Sequence, residues 1–121
     1  MTFELAKEEE MNNLSEGTSL IGYMDLSPTK LIKTFGEPFE SDGYKVSGEY
    51  VFVNRYGVVT LYDWKMTKLY DQYNDFTPEE LWAQERPLNF HIGGKLTIEN
   101  DFFEEGDLLK QFKGYLEFNL L

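Results

Sequence analysis

The apolar positions change period several times along the chain, and each change predicts an element. Phe3 to Leu14 carries apolar residues at Leu5, Met11 and Leu14, a sparse helical spacing that predicts a short helix ended by Gly17. Ser19 to Met24, within "TSLIGYMDL", reads as a strand. Ser27 then stands as an N-cap with Pro28 at the first helical position, where its missing N–H costs nothing, and Leu31, Ile32 and Phe35 form one apolar face. Lys30 and Lys33 suit the negative end of the helix dipole, and Gly36 followed by Pro38 stops this helix after about two turns.

Alternation then takes over. "EPFESDGYKVS" is a loop with an Asp42-Gly43 turn signal, and "GEYVFVNRYGVVTLYDWK" is two β-rich runs joined at Asn54 to Gly57, which predicts a hairpin. Tyr50 and Phe52 point one way and Val51 and Val53 the other; Val59, Leu61 and Asp63 share a face opposite Val58, Thr60, Tyr62 and Trp64. Both faces carry apolar residues, so one packs a core and the other meets a second layer or is partly exposed. "MTKLYDQYNDF" is an aromatic-rich loop. Thr77, Pro78 and Glu80 form a capping box for a second short helix, with Phe76 and Leu81 as a hydrophobic staple and Pro87 as its end. Leu88, Phe90 and Ile92 alternate with Asn89 and His91 in a strand that Gly93-Gly94 closes with positive-φ turn geometry. A final helix starts near Asn100 on a stripe of Phe102, Leu109, Phe112 and Leu116, widened by Leu108 and Tyr115. Gly106 and Gly114 each weaken it by roughly 1 kcal/mol relative to alanine, and a break near Gly106 leaves the better helix at Asp107 to Glu117. The pattern predicts an α+β fold: a small antiparallel sheet with a central hairpin, two short helices and a C-terminal helix packed on it.

Composition sharpens this picture. At 121 residues the chain suits a single domain, residues 1–121, and 41% apolar with 17% aromatic residues is enough for a real core. The absence of cysteine excludes disulfides, zinc–thiolate sites and thiol nucleophiles. No apolar run approaches the roughly 20 residues that span a bilayer, and "MTFELAKEEEMNNLSEG" lacks the apolar core of a signal peptide. The expected location is the cytoplasm of a host cell. Acids outnumber bases 22 to 11, a formal net charge of −11. Direct binding to a nucleic-acid backbone or to an anionic membrane is thereby disfavoured, and a charged partner should be basic. A protein that itself binds nucleic acid fits that description. Plain solubility accounts for the same charge.

Chemistry at motif spacing is sparse. His91 is the single histidine, it has no Ser or Cys partner at motif spacing, and no G-x-S-x-G occurs, so no catalytic residue is assigned. "NDFFEEGD" fails as a calcium loop, because Gly106 at position six places Phe103 at position three, where an oxygen ligand belongs. "HIGGK" fails as a phosphate loop, since Asn89 and Leu96 occupy its required Gly and Ser/Thr positions. No metal or cofactor is expected.

Two acid runs are the stronger signal. Glu4, Glu8, Glu9, Glu10 and Glu16 line the N-terminal segment against one Lys7, and Glu99, Asp101, Glu104, Glu105 and Asp107 form a run without a base. Carboxylates spaced along a surface resemble phosphates spaced along a strand, and such a surface could occupy the basic groove of a nucleic-acid-binding enzyme. Tyr70, Tyr73 and Phe76 of the aromatic loop are candidate interface anchors, against the plainer reading that they cover one side of the hairpin. His91, Tyr62 and Trp64 could instead line a cleft for a small ligand.

The segments "TSLIGYMDLSPTKLIKTFGEP", "GEYVFV", "GVVTLYDWK" and "HIGGK", in that order, resemble a group of small, poorly characterised proteins of bacteriophages and mobile elements. The resemblance covers roughly Thr18 to Gly94. The chain departs from it in the inserted "TPEELWAQERP" and in the acidic stretch before the final helix. It implies a phage or mobile-element origin and no particular activity. Together these readings predict a non-enzymatic acidic interaction protein that inhibits a host nucleic-acid-binding or defence protein by nucleic-acid mimicry, in the manner of anti-CRISPR or anti-restriction factors. A small-ligand domain with a cleft near His91 and a phage accessory or virion component are the alternatives; a homodimer is open.

Overall fold

The computed structural model describes residues 2–98 and 101–121. Its elements run β1 (Glu4–Leu5), α1 (Glu8–Ser15), β2 (Ser19–Leu26), α2 (Pro28–Phe35), β3 (Glu49–Val53), β4 (Gly57–Tyr62), α3 (Pro78–Trp82), β5 (Leu88–Leu96) and α4 (Glu105–Asn119). The strands form one antiparallel sheet in the order β1-β3-β4-β5-β2, with the helices packed on it. The fold is α+β, as the pattern predicts, with α1 as a third short helix. Among the described residues no helix is long and apolar enough to cross a membrane.

The chain divides into two compact units. The first comprises Met1–Gly22, Tyr50–Leu61 and Ile92–Leu121; the second comprises Tyr23–Glu49 and Tyr62–His91. In the first, Phe112 and Phe52 of α4 and β3 meet with ring centroids 5.1 Å apart, and Phe3 closes on Phe112 edge-on at 5.3 Å. Leu108, Phe112 and Leu116, four residues apart along α4, are fully buried; Phe112 and Leu116 belong to the predicted stripe, while Leu108, expected only to widen it, takes the place of the half-buried Leu109. In the second, α2 packs on α3, and Leu31, Leu81 and Phe90 are fully buried.

Local rules explain several elements closely. α2 begins at Pro28 and ends at Phe35, where Gly36 adopts φ 86° and its N–H donates to the Ile32 carbonyl at 2.8 Å. That left-handed backbone favours glycine. At α3 the Thr77 hydroxyl accepts from the Glu80 N–H at 3.2 Å and the Glu80 carboxylate accepts from the Thr77 N–H at 3.0 Å, the predicted capping box. The turn between β3 and β4 is held by the Asn54 side chain, whose oxygen accepts from Tyr56 and Gly57 N–H groups at 2.9 and 3.1 Å.

Other expectations are corrected. The segment expected to form one helix from Phe3 to Leu14 starts as strand β1, paired with β3 in the register Glu4↔Val53 and Leu5↔Phe52, and only then turns into α1. Pairing with a distant strand outweighs a weak local helical pattern. Ser27 precedes α2 but makes no capping bond; its hydroxyl meets that of Thr29 at 3.1 Å. α3 stops at Trp82 with Ala83 as its cap, well before Pro87. Gly93 and Gly94 do not turn the chain, since β5 runs through both to Leu96 and neither has positive φ. A Cβ on Gly94 would stand 2.6 Å from Cδ1 of Ile21, so the residue serves close packing inside the strand. α4 begins at Glu105 and passes unbroken through Gly106, leaving Phe102 outside it and 94% exposed; the expected start at Asn100 lies outside the described residues.

Gly114 sits inside α4 with nothing within 4 Å of where a Cβ would stand. Gly114→Ala should therefore raise stability by about 1 kcal/mol through backbone entropy alone. Thermal unfolding should show the midpoint rising by about 4 °C.

Candidate functional site

Acids of both runs map to helix starts of the first unit, while Glu4 lies in β1 and Glu16 is the C-cap residue of α1. Glu8, Glu9 and Glu10 are the exposed first turn of α1, and Glu105 and Asp107 lie in the first turn of α4, with Glu104 as its N-cap residue. Carboxylates there are favoured by the positive end of the helix dipole. Two of them also cap: Glu10 accepts from the Lys7 N–H at 3.3 Å and Asp107 from the Glu104 N–H at 2.8 Å. Part of each run thus has a local folding role, which leaves Glu8, Glu9 and Glu105 as exposed acids without a capping bond. Asp101 is exposed as well. Glu99 lies outside the described residues.

The second unit gathers the rings that alternation could only place on one face. Tyr62 and Trp64 stand on the same side by alternation, and His91 from β5 joins them. The ring centroids of His91 lie 5.9 Å from those of both Tyr62 and Trp64, and Tyr62 meets Trp64 edge-on at 6.1 Å. The His91 and Trp64 planes are only 25° apart. Tyr23 from β2 adds an edge-on contact to His91 at 4.7 Å and is 49% exposed. The other three rings are half-buried.

Two lysines flank these rings. The ammonium groups of Lys45 and Lys65 stand 5.7 and 5.3 Å from the Trp64 ring, and that of Lys65 is also 5.1 Å from Tyr70. Of the loop aromatics, Tyr70 is therefore brought to this face, packed on Tyr44 at 5.1 Å, while Tyr73 stands 85% exposed. Burial lowers the His91 pKa below its ordinary 6.5, which keeps the ring neutral at pH 7. Burial raises Glu49, with Ser41 hydrogen bonding pulling down and the nearby Asp42 pushing up; burial and the charge of Glu49 raise Tyr62.

Beside this face lies a buried carboxylate. Asp63, placed by alternation among Val59 and Leu61, is fully buried. It accepts from the Gly48 N–H at 2.9 Å, from the Ser47 N–H at 3.0 Å and from the Ser47 hydroxyl at 2.8 Å. That hydroxyl in turn accepts from the Trp82 indole N–H at 3.0 Å. The network pins the loop before β3 to the end of β4 and to α3. Sequence reasoning passed over Tyr23, Lys45, Glu49 and Lys65; the adjacency of Trp64 and Lys65 was the available signal for the last, and nothing local marked the others.

Among the described residues no group of three or more His, Asp or Glu side chains could hold a metal ion. Comparison with models of known protein families finds no match, and comparison with curated proteins finds none.

Proposed function

We propose that the protein is a non-enzymatic interaction protein of phage or mobile-element type, which meets a basic host protein, such as a nucleic-acid-binding or defence enzyme, through its acidic surface. The observation that carries this reading is the placement of acids from both runs: Glu8, Glu9 and Glu10, and Glu104, Glu105 and Asp107, stand exposed at helix starts of the same unit, with Glu8, Glu9 and Glu105 free of capping bonds. Exposed carboxylates cost nothing to desolvate in the free protein and steer a basic partner at long range. The twofold excess of acids disfavours binding to a nucleic-acid backbone itself.

Affinity capture from a bacterial lysate, followed by mass spectrometry, supplies a partner to test. Its binding should weaken with salt and compete with duplex DNA. A triple variant Glu8→Lys, Glu9→Lys, Glu105→Lys spares the capping carboxylates Glu10 and Asp107. It should fold normally and lose about tenfold or more in affinity. Binding that ignores salt, DNA and charge reversal sinks the mimicry mechanism.

A further inference from the structure

The outer face of α4 has no part in the reading above. We propose that it is a self-association surface, where a second copy of the chain crosses antiparallel at Gly114 and the Phe118 of each copy packs on the Lys110 of the other.

Gly114 sits inside the helix and exposed, where glycine weakens a helix relative to alanine. Neither local reason for a glycine applies: its φ is not positive, and nothing stands within 4 Å of where a Cβ would be. A second backbone crossing there would use the missing side chain, since the gap between packed helices is set by the residues at their contact. The surrounding surface has the shape for one. Two grooves, of about 540 and 480 Å³, share Lys110 and Gly114 as lining. Phe118, one turn beyond Gly114, is 76% exposed, and among the described residues no other ring touches it.

Charge selects the occupant. Lys110 is exposed and Lys113 half-buried, and among the described residues neither pairs with a carboxylate. A basic partner of the kind drawn to Glu8, Glu9 and Glu105 would be repelled by them. A parallel copy would set Lys110 against Lys110. An antiparallel copy centred on Gly114 matches each residue with the one equally far along on the other side of it. Lys110 then meets Phe118, a cation against a ring. Gln111, whose oxygen accepts from the Asn54 amide at 3.3 Å, has its NH₂ group left to donate to Glu117. Lys113 meets Tyr115. Within a turn of the crossing no like charges face each other, and every contact is made twice. One helix crossing buries less than a standard interface of roughly 1,600 Å², so the dimer is weak, with a Kd on the order of 100 µM.

Sedimentation equilibrium of the whole chain, from about 5 µM to about 1 mM, should show a reversible monomer–dimer equilibrium, and a monomer throughout overturns the proposal. Added salt should tighten the dimer, because each copy carries a net charge of −11. Capture of a basic partner through the acid runs weakens with salt, so this proposal and that reading fail separately. Gly114→Gln introduces a better helix former into open space. At micromolar concentration its unfolding midpoint should stay level or rise, yet its dimer should weaken by about tenfold. Phe118→Ser, at an exposed position, should fold normally and weaken the dimer by about as much. Undiminished association in either variant overturns the proposal. The chain has no cysteine, so Gly114→Cys places a single thiol at the crossing, where it meets its own copy. Mild oxidation should link it about tenfold faster or more than Glu105→Cys at the same concentration. Equal rates would place the contact elsewhere and sink the crossing at Gly114.

Discussion

Replacing Asp63 with alanine should cost about 3 kcal/mol of folding stability or more, because it strands buried donors that only this carboxylate satisfies. The N–H groups of Ser47 and Gly48 both donate to its Oδ1, and the Ser47 hydroxyl that donates to its Oδ2 also accepts from the Trp82 indole. Rotation rescues the hydroxyl but not the two amides. Asp63→Asn keeps an oxygen of nearly the same shape for those amides. Its NH₂ group faces the Ser47 hydroxyl, which can accept as well as donate. The asparagine should therefore cost about 1 kcal/mol. Urea unfolding of the three proteins measures both differences, and equal losses for Ala and Asn would show that the amides find other partners.

The same carboxylate predicts a pH dependence with a definite sign. Burial raises its pKa above the ordinary 3.8, with the bonds from Gly48 and Ser47 pulling the other way. A carboxyl whose folded pKa is raised contributes stability that is fully present below pH 3.8 and is lost as pH rises through the folded value. At neutral pH the charged group bears the cost of its burial. The stability of the native chain relative to Asp63→Asn should thus improve as pH falls from neutral into mild acid. Glu49 is shifted in the same direction, also by burial, so the comparison with Asp63→Asn, which retains Glu49, isolates the Asp63 contribution.

How far the chain reveals itself depends on the range of the interaction that decides each element. α2 and α3 are governed by residues within one turn of themselves: Pro28 and Gly36 bracket the first, and Thr77 with Glu80 opens the second. Those were legible. The hairpin was legible for the same reason, since Asn54 and Gly57 are neighbours of the strands they join. β1 was not, because Glu4 and Leu5 become a strand only by pairing with Val53 and Phe52. Gly93-Gly94 misled because glycine permits both a turn and a close approach. What chose between them at Gly94 was the Ile21 side chain on another strand. The ring face lies between these cases. Alternation put Tyr62 and Trp64 on one side and His91 on the polar side of its own strand, but only the sheet brings the three together. Asp63 carried a signal that went unused: an acid on an otherwise apolar strand face is either misplaced or bonded within the core.

Phe112→Ala should be the costliest substitution in the first unit described here, at about 3–5 kcal/mol. Phe112 is fully buried and touches aromatic rings from three directions: Phe3 edge-on at 5.3 Å, Phe52 at 5.1 Å and Tyr115, near-parallel, at 6.4 Å. Truncation removes its transfer free energy and leaves a cavity that rigid rings close poorly. It also removes the anchor for Phe3, which leads directly into β1. Phe112→Leu keeps most of the volume and loses the ring contacts, so it should cost about 1.5 kcal/mol. Set against a loss of several kcal/mol here, the gain of about 1 kcal/mol expected from Gly114→Ala two residues along the same helix is small. The ratio carries the physical point: α4 is held by the face it buries and not by its own propensity. Denaturant unfolding of Phe112→Ala, Phe112→Leu and Gly114→Ala tests it, and a Phe112→Ala loss no larger than the Gly114→Ala gain would refute it.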